Sequence, residues 1–213
     1  MITKQFLTGG DRNFGYLIAD EKTKLAVIID PSYSPEMICG FAKDNDYEIK
    51  YILNTHDHYD HTNGNTIAEK LTGTRALTFG DTDPFTGQEI SDGVILPLGE
   101  LQIKIIHTPG HTMDSICIYI GDAVFTGDTL FVGKVGGTGY GKDAEQEYNS
   151  LHNKLMKLPD STRVFPGHNV GTAPESTIEN ERKTNPFFLQ PNFEAFIELK
   201  KNWTEYKRKH GID

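Results

Sequence analysis

The stretch that most constrains this chain is "YILNTHDHYDHTNG", Tyr51 to Gly64. An apolar run that reads as a buried strand delivers His56, Asp57, His58, Asp60 and His61 into the turn just beyond its end. Titratable side chains crowded beside a core are costly unless something pairs with them. In an extended segment residues i and i+2 project to one side, as His56 and His58 do. Asp60 and His61 follow where the chain turns into a helix. Strand ends aim side chains outward from a rigid sheet, which is where sites are usually built.

The same setting recurs further along. Five of the eight histidines follow an apolar strand at the start of a loop: the three above, His111 in "IIHTPGH" and His168 in "VFPGH". Asp128, in "AVFTGD", does the same. Imidazole nitrogen and carboxylate oxygen suit zinc, iron or manganese. Two cations sharing a carboxylate, typically about 3.5–4 Å apart, would relieve the charge crowding. One His-x-His alone would read as ordinary turn polarity; the full set at strand ends reads as a metal site. His107, His152 and His210 read as ordinary surface or core groups, although His107 shares the loop of His111 and is placed to support it. Asp30, in "VIIDP", is a strand-end carboxylate that either supports a ligand or caps the following turn.

Around these motifs the chain reads as strands, helix, strand, helix, and then the same again. "TKQFL", "FGYLIAD", "KLAVIID" and "IKYILN" are strands, as are "GVILPL", "LQIKIIHTPG", "SICIYIG", "AVFTGD" and "TRVFPGH". "SPEMICGFAKDND" is a helix with Ser34 as N-cap and Pro35 in its first position. "HTNGNTIAEKLTG" is a helix ending at Gly73, and "KDAEQEYNSLHNKLMKLPD" is one with Leu151, Leu155 and Leu158 at helical spacing. "NFEAFIELKKNWTEYKRKHGI" closes the chain, with Phe193, Phe196, Ile197, Leu199 and Trp203 on its apolar face. Two such halves suggest a sheet-on-sheet core with helices outside. The expectation is one domain over residues 1–213 with a C-terminal helical extension at about 190–210.

With 213 residues, 37% hydrophobic and 24% charged, the chain can bury a packed core. Its net charge of −9 argues against nucleic acid as the main partner, because phosphate binding needs a basic face. Cys39 and Cys117 form no CxxC pair and no disulfide framework and read as buried thiols. The N-terminus lacks the basic start and continuous apolar segment of a signal peptide, and no run approaches transmembrane length, so the expected location is the cytoplasm with no membrane partner. "GTGYGK" is not a phosphate-binding loop, since it lacks the Gly-Lys-Ser/Thr ending.

The spaced set "THDHYDH", "HTPGHT", "FTGDTLF" and "FPGH" resembles the metallo-β-lactamase superfamily, with the motifs in order from Phe14 to about Phe188. The resemblance implies an α/β fold, the αββα sandwich of two mixed sheets flanked by helices, with a dinuclear site at one edge. By position it implies that His56, His58 and His111 hold one metal, that Asp60, His61 and His168 hold the other, and that Asp128 bridges. "TGDTLF" and "ERKTNPFFL" are similar to the glyoxalase II branch, the hydroxyacylglutathione hydrolases, in a short form without the longer C-terminal helical domain. That branch implies hydrolysis of a small-molecule thioester by metal-bound hydroxide, with two divalent ions per chain (zinc, iron or manganese) and with Asp60 and Asp128 orienting the hydroxide. A true β-lactamase usually has Cys where Asp128 stands. The loop after "TLF" reads "VGKVGGTGYGKD", so the branch's basic residue for the glutathione carboxylate is not at its usual position. Lys134, Tyr140 and Lys142 lie nearby and are the candidate substrate contacts.

The rival is an oxidoreductase. Persulfide dioxygenases resemble this family and hold a single iron by two His and one Asp, which here are His56, His111 and Asp128. The chain lacks their "RxGRTDF" stretch after "TLF", which favours the hydrolase. A metal-stabilised binding module is disfavoured, because a closed structural zinc site prefers four ligands, often cysteines, and this set contains none.

Overall fold

The computed structural model describes residues 1–211; Ile212 and Asp213, the end of the predicted terminal helix and domain, lie outside the described residues. The first half forms a five-stranded sheet from β1 (Ile2–Gly9), β2 (Asn13–Ala19), β3 (Leu25–Ile29), β4 (Glu48–Leu53) and β5 (Ala76–Leu77), in that order. The helices α1 (Pro35–Asp44), α2 (Tyr59–Thr62) and α3 (Asn65–Thr72) lie between β3 and β5 in sequence. The second half runs β6 (Ile95–Leu98), β7 (Leu101–His107), β8 (Ile116–Ile120), β9 (Ala123–Gly127), β10 (Leu130–Phe131), β11 (Lys134–Val135), α4 (Lys142–Asn153), β12 (Arg163–Pro166), β13 (Ser176–Thr177), α5 (Ile178–Thr184), α6 (Phe193–Lys201) and α7 (Trp203–His210). Its six-stranded sheet has the order β13-β12-β9-β8-β7-β6, and β10 and β11 pair as a separate ribbon.

Strand β2 shows why the architecture has four layers. All of its residues are buried, and a strand's period of two sends them to both faces. Phe14, Tyr16 and Ile18 enter the core between the sheets, where they meet Ile118, Ile120, Phe125 and Phe165. Leu17 and Ala19 face the other way, onto Ile38 and Ala42 of α1 and Ala68 of α3. In the second sheet Cys117, Val124 and Val164 point outward onto Leu151 of α4 and Phe196 of α6. Tyr16 crosses the layers: its ring lies 4.9 Å from Phe125 and 5.7 Å from Phe165, and its hydroxyl donates to the Pro166 carbonyl.

The parallel strands set the position of the site. β3, β4 and β5 are parallel, as are β9 and β12, so the loops after β3 and β4 leave on one edge and those after β9 and β12 leave together. Backbone bonds join the two edges, Ile116 N to Thr55 O at 2.7 Å and Phe14 N to Gly167 O at 2.8 Å, and within the second sheet Gly167 N to Gly127 O at 2.8 Å ties the ends of β12 and β9. In parallel sheets the carboxyl ends are where ligands bind.

Several sequence expectations are corrected. The helix expected from His61 starts at Tyr59 and is interrupted at Asn63–Gly64, where Gly64 presses on the Pro31 carbonyl. The Ser34 hydroxyl does not cap α1; it donates to the Thr8 carbonyl at 2.8 Å, although Pro35 does open the helix. α4 ends at Asn153 and is followed by a tight turn at Leu155–Lys157, so Leu158 lies outside the helix. The terminal helix breaks at Asn202, whose backbone leaves the helical region to close α6 and start α7. The two-residue strands β5, β10, β11 and β13 were not anticipated, since two residues carry no periodicity.

Candidate metal centre

Seven side chains from four loops, those after β4, β7, β9 and β12, converge at this edge. His56 Nε2, His58 Nδ1 and His111 Nε2 meet at one point, 3.0 Å apart along both His58 contacts. His61 Nε2 and His168 Nε2 meet 3.2 Å apart at a second point, with Asp60 Oδ2 3.7 Å and 3.3 Å from them. Asp128 reaches both: Oδ2 is 3.7 Å from His111 Nε2, and Oδ1 is 3.4 Å from His61 and from His168. Three groups could each close on an ion, namely His56-His58-His111, Asp60-His61-His168 and His56-His61-Asp128, with ligand atoms within 4.8 Å in each. Asp57 and Tyr59 point away and are exposed.

The far nitrogens decide which way the near ones face. His111 Nδ1 lies 2.8 Å from the Gly137 carbonyl, and His168 Nδ1 lies 2.8 Å from the Asp11 carbonyl. His61 Nδ1 lies 2.9 Å from Asp30 Oδ2. Carbonyls and carboxylates only accept, so each Nδ1 carries the hydrogen and each Nε2 presents its lone pair inward. His56 follows by one more step. The Thr55 hydroxyl donates to Asp30 Oδ2 at 2.7 Å, and so accepts from His56 Nδ1 at 3.1 Å. Asp30 therefore holds His61 directly and His56 through Thr55.

Lone pairs aimed at one another around a buried carboxylate fit a cation. Asp128 Oδ1 is buried with no hydrogen-bond partner of its own. Burial and the neighbouring His61 push the His56 imidazole down to about 3. Burial also lowers His111, against the pull of Asp128. His61 goes the other way. Burial depresses it, but Asp30 and then Asp128 outweigh burial and hold it at about 10, so in the metal-free site Nε2 also carries a proton, which a cation must displace to reach the lone pair. Burial alone would raise Asp128, but the imidazoles of His168 and His61, each 3.4 Å from Oδ1, hold it well below the usual carboxylate range.

A cavity of about 260 Å³ opens on the site, lined by Asp11, His58, Asp60, Asp128, Phe131, Lys134, His168 and Val170. Of the candidate substrate contacts, Lys134 lies in this cavity, its ammonium 5.0 Å from the Phe131 ring centre. Tyr140 lines an adjoining cavity of about 280 Å³ together with Lys134 and Trp203. Lys142 begins α4, is exposed and lines neither. His107 does not reach the site; it stacks on Phe79 at 4.1 Å.

Sequence reasoning missed several residues. Asn13 Nδ2 donates at 3.0 Å both to the Asp60 backbone and to Asp60 Oδ2, fixing that carboxylate. No local pattern marks Asn13, which comes from the first hairpin. In sequence "ERKTNPF" carries only a motif. Its Glu181 accepts from Gly133 N at 2.9 Å, and its Asn185 donates to the Lys134 carbonyl at 3.3 Å, so the segment holds the loop beside Asp128 from behind.

Residues 8–168 match the Metallo-beta-lactamase superfamily. This chain belongs to that superfamily. Within it, the chain is 35% identical over 202 residues to a probable hydroxyacylglutathione hydrolase, glo2, of Schizosaccharomyces pombe, covering 91% of this chain and 76% of that one. It is 40% identical over 164 residues to the hydroxyacylglutathione hydrolase of Pelagibacter ubique, covering 73% and 66%. Among solved metallo-β-lactamase folds, ETHE1 from Myxococcus xanthus superposes with a TM-score of 0.86 at 32% identity, covering 95% of this chain and 91% of that one.

Proposed function

We propose that this protein hydrolyses a small-molecule thioester of the hydroxyacylglutathione type with two divalent metal ions, zinc foremost. The observation that carries the reading is the pair of ligand groups joined by Asp128, each turned inward by hydrogen bonds on its outer side. His56, His58 and His111 would hold one ion and Asp60, His61 and His168 the other. When bound, the ions supply a Lewis acid for the thioester carbonyl and lower the pKa of water from about 15.7 toward about 7.

The chain's own residues do the rest. Asp60, fixed by Asn13, turns Oδ2 to the cavity and orients the attacking water by accepting its hydrogen. Phe131 and Val170 wall the cavity. Lys134 offers a positive charge to a carboxylate on the thiol carrier. The departing thiolate is a stable anion and needs little acid help. The relatives named as hydroxyacylglutathione hydrolases support the substrate class. Free, buried Cys39 and Cys117 suit a reducing compartment, and we place the protein in the cytoplasm.

The likeness to ETHE1 favours a second reading, an oxidoreductase with one iron on His56, His111 and Asp128. It leaves Asp60, His61 and His168 idle although they are as closely gathered as the others. A panel of thioesters with and without glutathione, run beside metal analysis, tests both. Close to two metals per chain and thioester turnover support the hydrolase. One iron with oxygen uptake on a glutathione persulfide, and no thioester turnover, would overturn it.

A further inference from the structure

One buried ion pair has no part in the chemistry above. Glu147 of α4 and Lys200 of α6 are hydrogen-bonded in the layer outside the second sheet, with side chains 0% and 6% exposed. Such a pair is weak evidence of stability, because desolvation consumes what attraction supplies. Its contacts lead to the metal centre. Lys200 Nζ donates to the Gly136 carbonyl at 2.8 Å. The next carbonyl, that of Gly137, accepts from His111 Nδ1 at 2.8 Å. A Cβ on Gly136 would fall 2.0 Å from the Asp128 carbonyl oxygen and 3.3 Å from Glu147 Oε1, so this loop lies pressed between Asp128 and the pair. On the other side, Gly110, which precedes His111, packs so closely that a Cβ there would fall 2.4 Å from Glu147 Cβ. The chain leading into His111 and the carbonyl that fixes its ring both rest on Glu147 and Lys200.

We propose that Lys200, held by Glu147, is a positioning residue for His111: it pins the Gly136–Gly137 segment, which in turn keeps the hydrogen on His111 Nδ1 and Nε2 facing the metal. The inference rests on the reading of His111 as a metal ligand. Neither side chain lines the cavity of about 260 Å³ that opens on the metal centre; Lys200 borders the adjoining cavity of about 280 Å³, but its ammonium is turned to Glu147 and the Gly136 carbonyl, so it acts on His111 through the loop.

The test uses the full chain. K200M alone would strand the Glu147 charge in the core and risks misfolding. The E147Q/K200M double variant removes both charges at similar volume, and K200R serves as the conservative rescue. Two measurements are made: zinc affinity by chelator competition, and the histidine tautomers of metal-free protein by nitrogen NMR at about pH 8, where exposed imidazoles are neutral. Near-ultraviolet circular dichroism checks the fold. The expected result for the double variant is about tenfold weaker zinc binding, the lower end of what losing an outer partner costs a ligand. His111 passes from one tautomer to a mixture, while the ring-nitrogen signals of His61 and His168 stay as in wild type and K200R restores most of both readouts. A folded double variant with wild-type zinc affinity and an unchanged His111 tautomer overturns the proposal. If wild-type protein takes up no zinc, it is the metal reading that falls, and the tautomer comparison still decides whether Lys200 positions His111.

Discussion

Asp30→Asn tests the reading of the site most sharply, because it changes one atom of a buried carboxylate. Asp30 is 1% exposed and accepts from Thr55 N at 2.8 Å, from the Thr55 hydroxyl at 2.7 Å and from His61 Nδ1 at 2.9 Å. The last two share Oδ2. An amide placed there sets a donor against His61 Nδ1, so the ring must take the other tautomer and point an Nε2 hydrogen at His168, 3.2 Å away. The reverse amide orientation sets the donor against the Thr55 N–H instead, so neither rotamer satisfies the site. Loss of an outer partner weakens metal binding by about 10- to 100-fold, or about 1.4–2.7 kcal/mol. The larger loss should fall on the ion that Asp60, His61 and His168 would hold, with a smaller loss at the other, which Asp30 reaches only through Thr55 and His56. Stepwise zinc titration against a chelator measures the two affinities, and thioester hydrolysis should decline with the weaker one. An Asp30→Asn protein that keeps both affinities and full activity would refute the tautomer argument.

Further outcomes are expected elsewhere. Asp128→Ala removes the carboxylate that reaches both groups, so metal analysis should find fewer than two ions per chain, with hydrolysis lost; full activity would sink the bridging role. Burial, outweighing Lys200, raises the Glu147 carboxyl to about 7 from an ordinary 4.5. A raised value means that the fold binds this proton more tightly, so the contribution to stability is complete below about pH 4.5 and is lost as pH rises through about 7, by up to about 3 kcal/mol. Urea unfolding across that window should show a decline in wild type that Glu147→Gln flattens; identical slopes would contradict it. Cys117 is fully buried with its thiol pushed up to about 12, so a thiol reagent should label it only after unfolding.

Most of the candidate site was legible because its signal is local. His56 and His58 share a side at spacing i, i+2, and every remaining candidate ligand follows directly on a strand or its turn, a position any strand reading can find. The two-sheet core was legible for a similar reason, since runs such as "FGYLIA" are too uniformly apolar for a one-sided sheet. What stayed hidden is whatever depends on backbone atoms or distant partners. The carbonyls of Asp11 and Gly137 set two tautomers, and no residue type advertises a carbonyl.

Lys200 marks the boundary between the two cases. Read as part of "FEAFIELKK" it is a solvent-facing lysine near a helix end, yet it lies four residues from Phe196 and three from Ile197, on the buried face. Glu147 likewise lies three residues from Ala144 and four from Leu151. A charge on the buried face of one helix asks for its opposite on another. The pair is 53 residues apart, so its existence could be suspected from spacing, but its partners could not. Only the packing of α4 and α6 over the "HTPGH" loop and the glycines after Asp128 turns two misplaced charges into a support for His111.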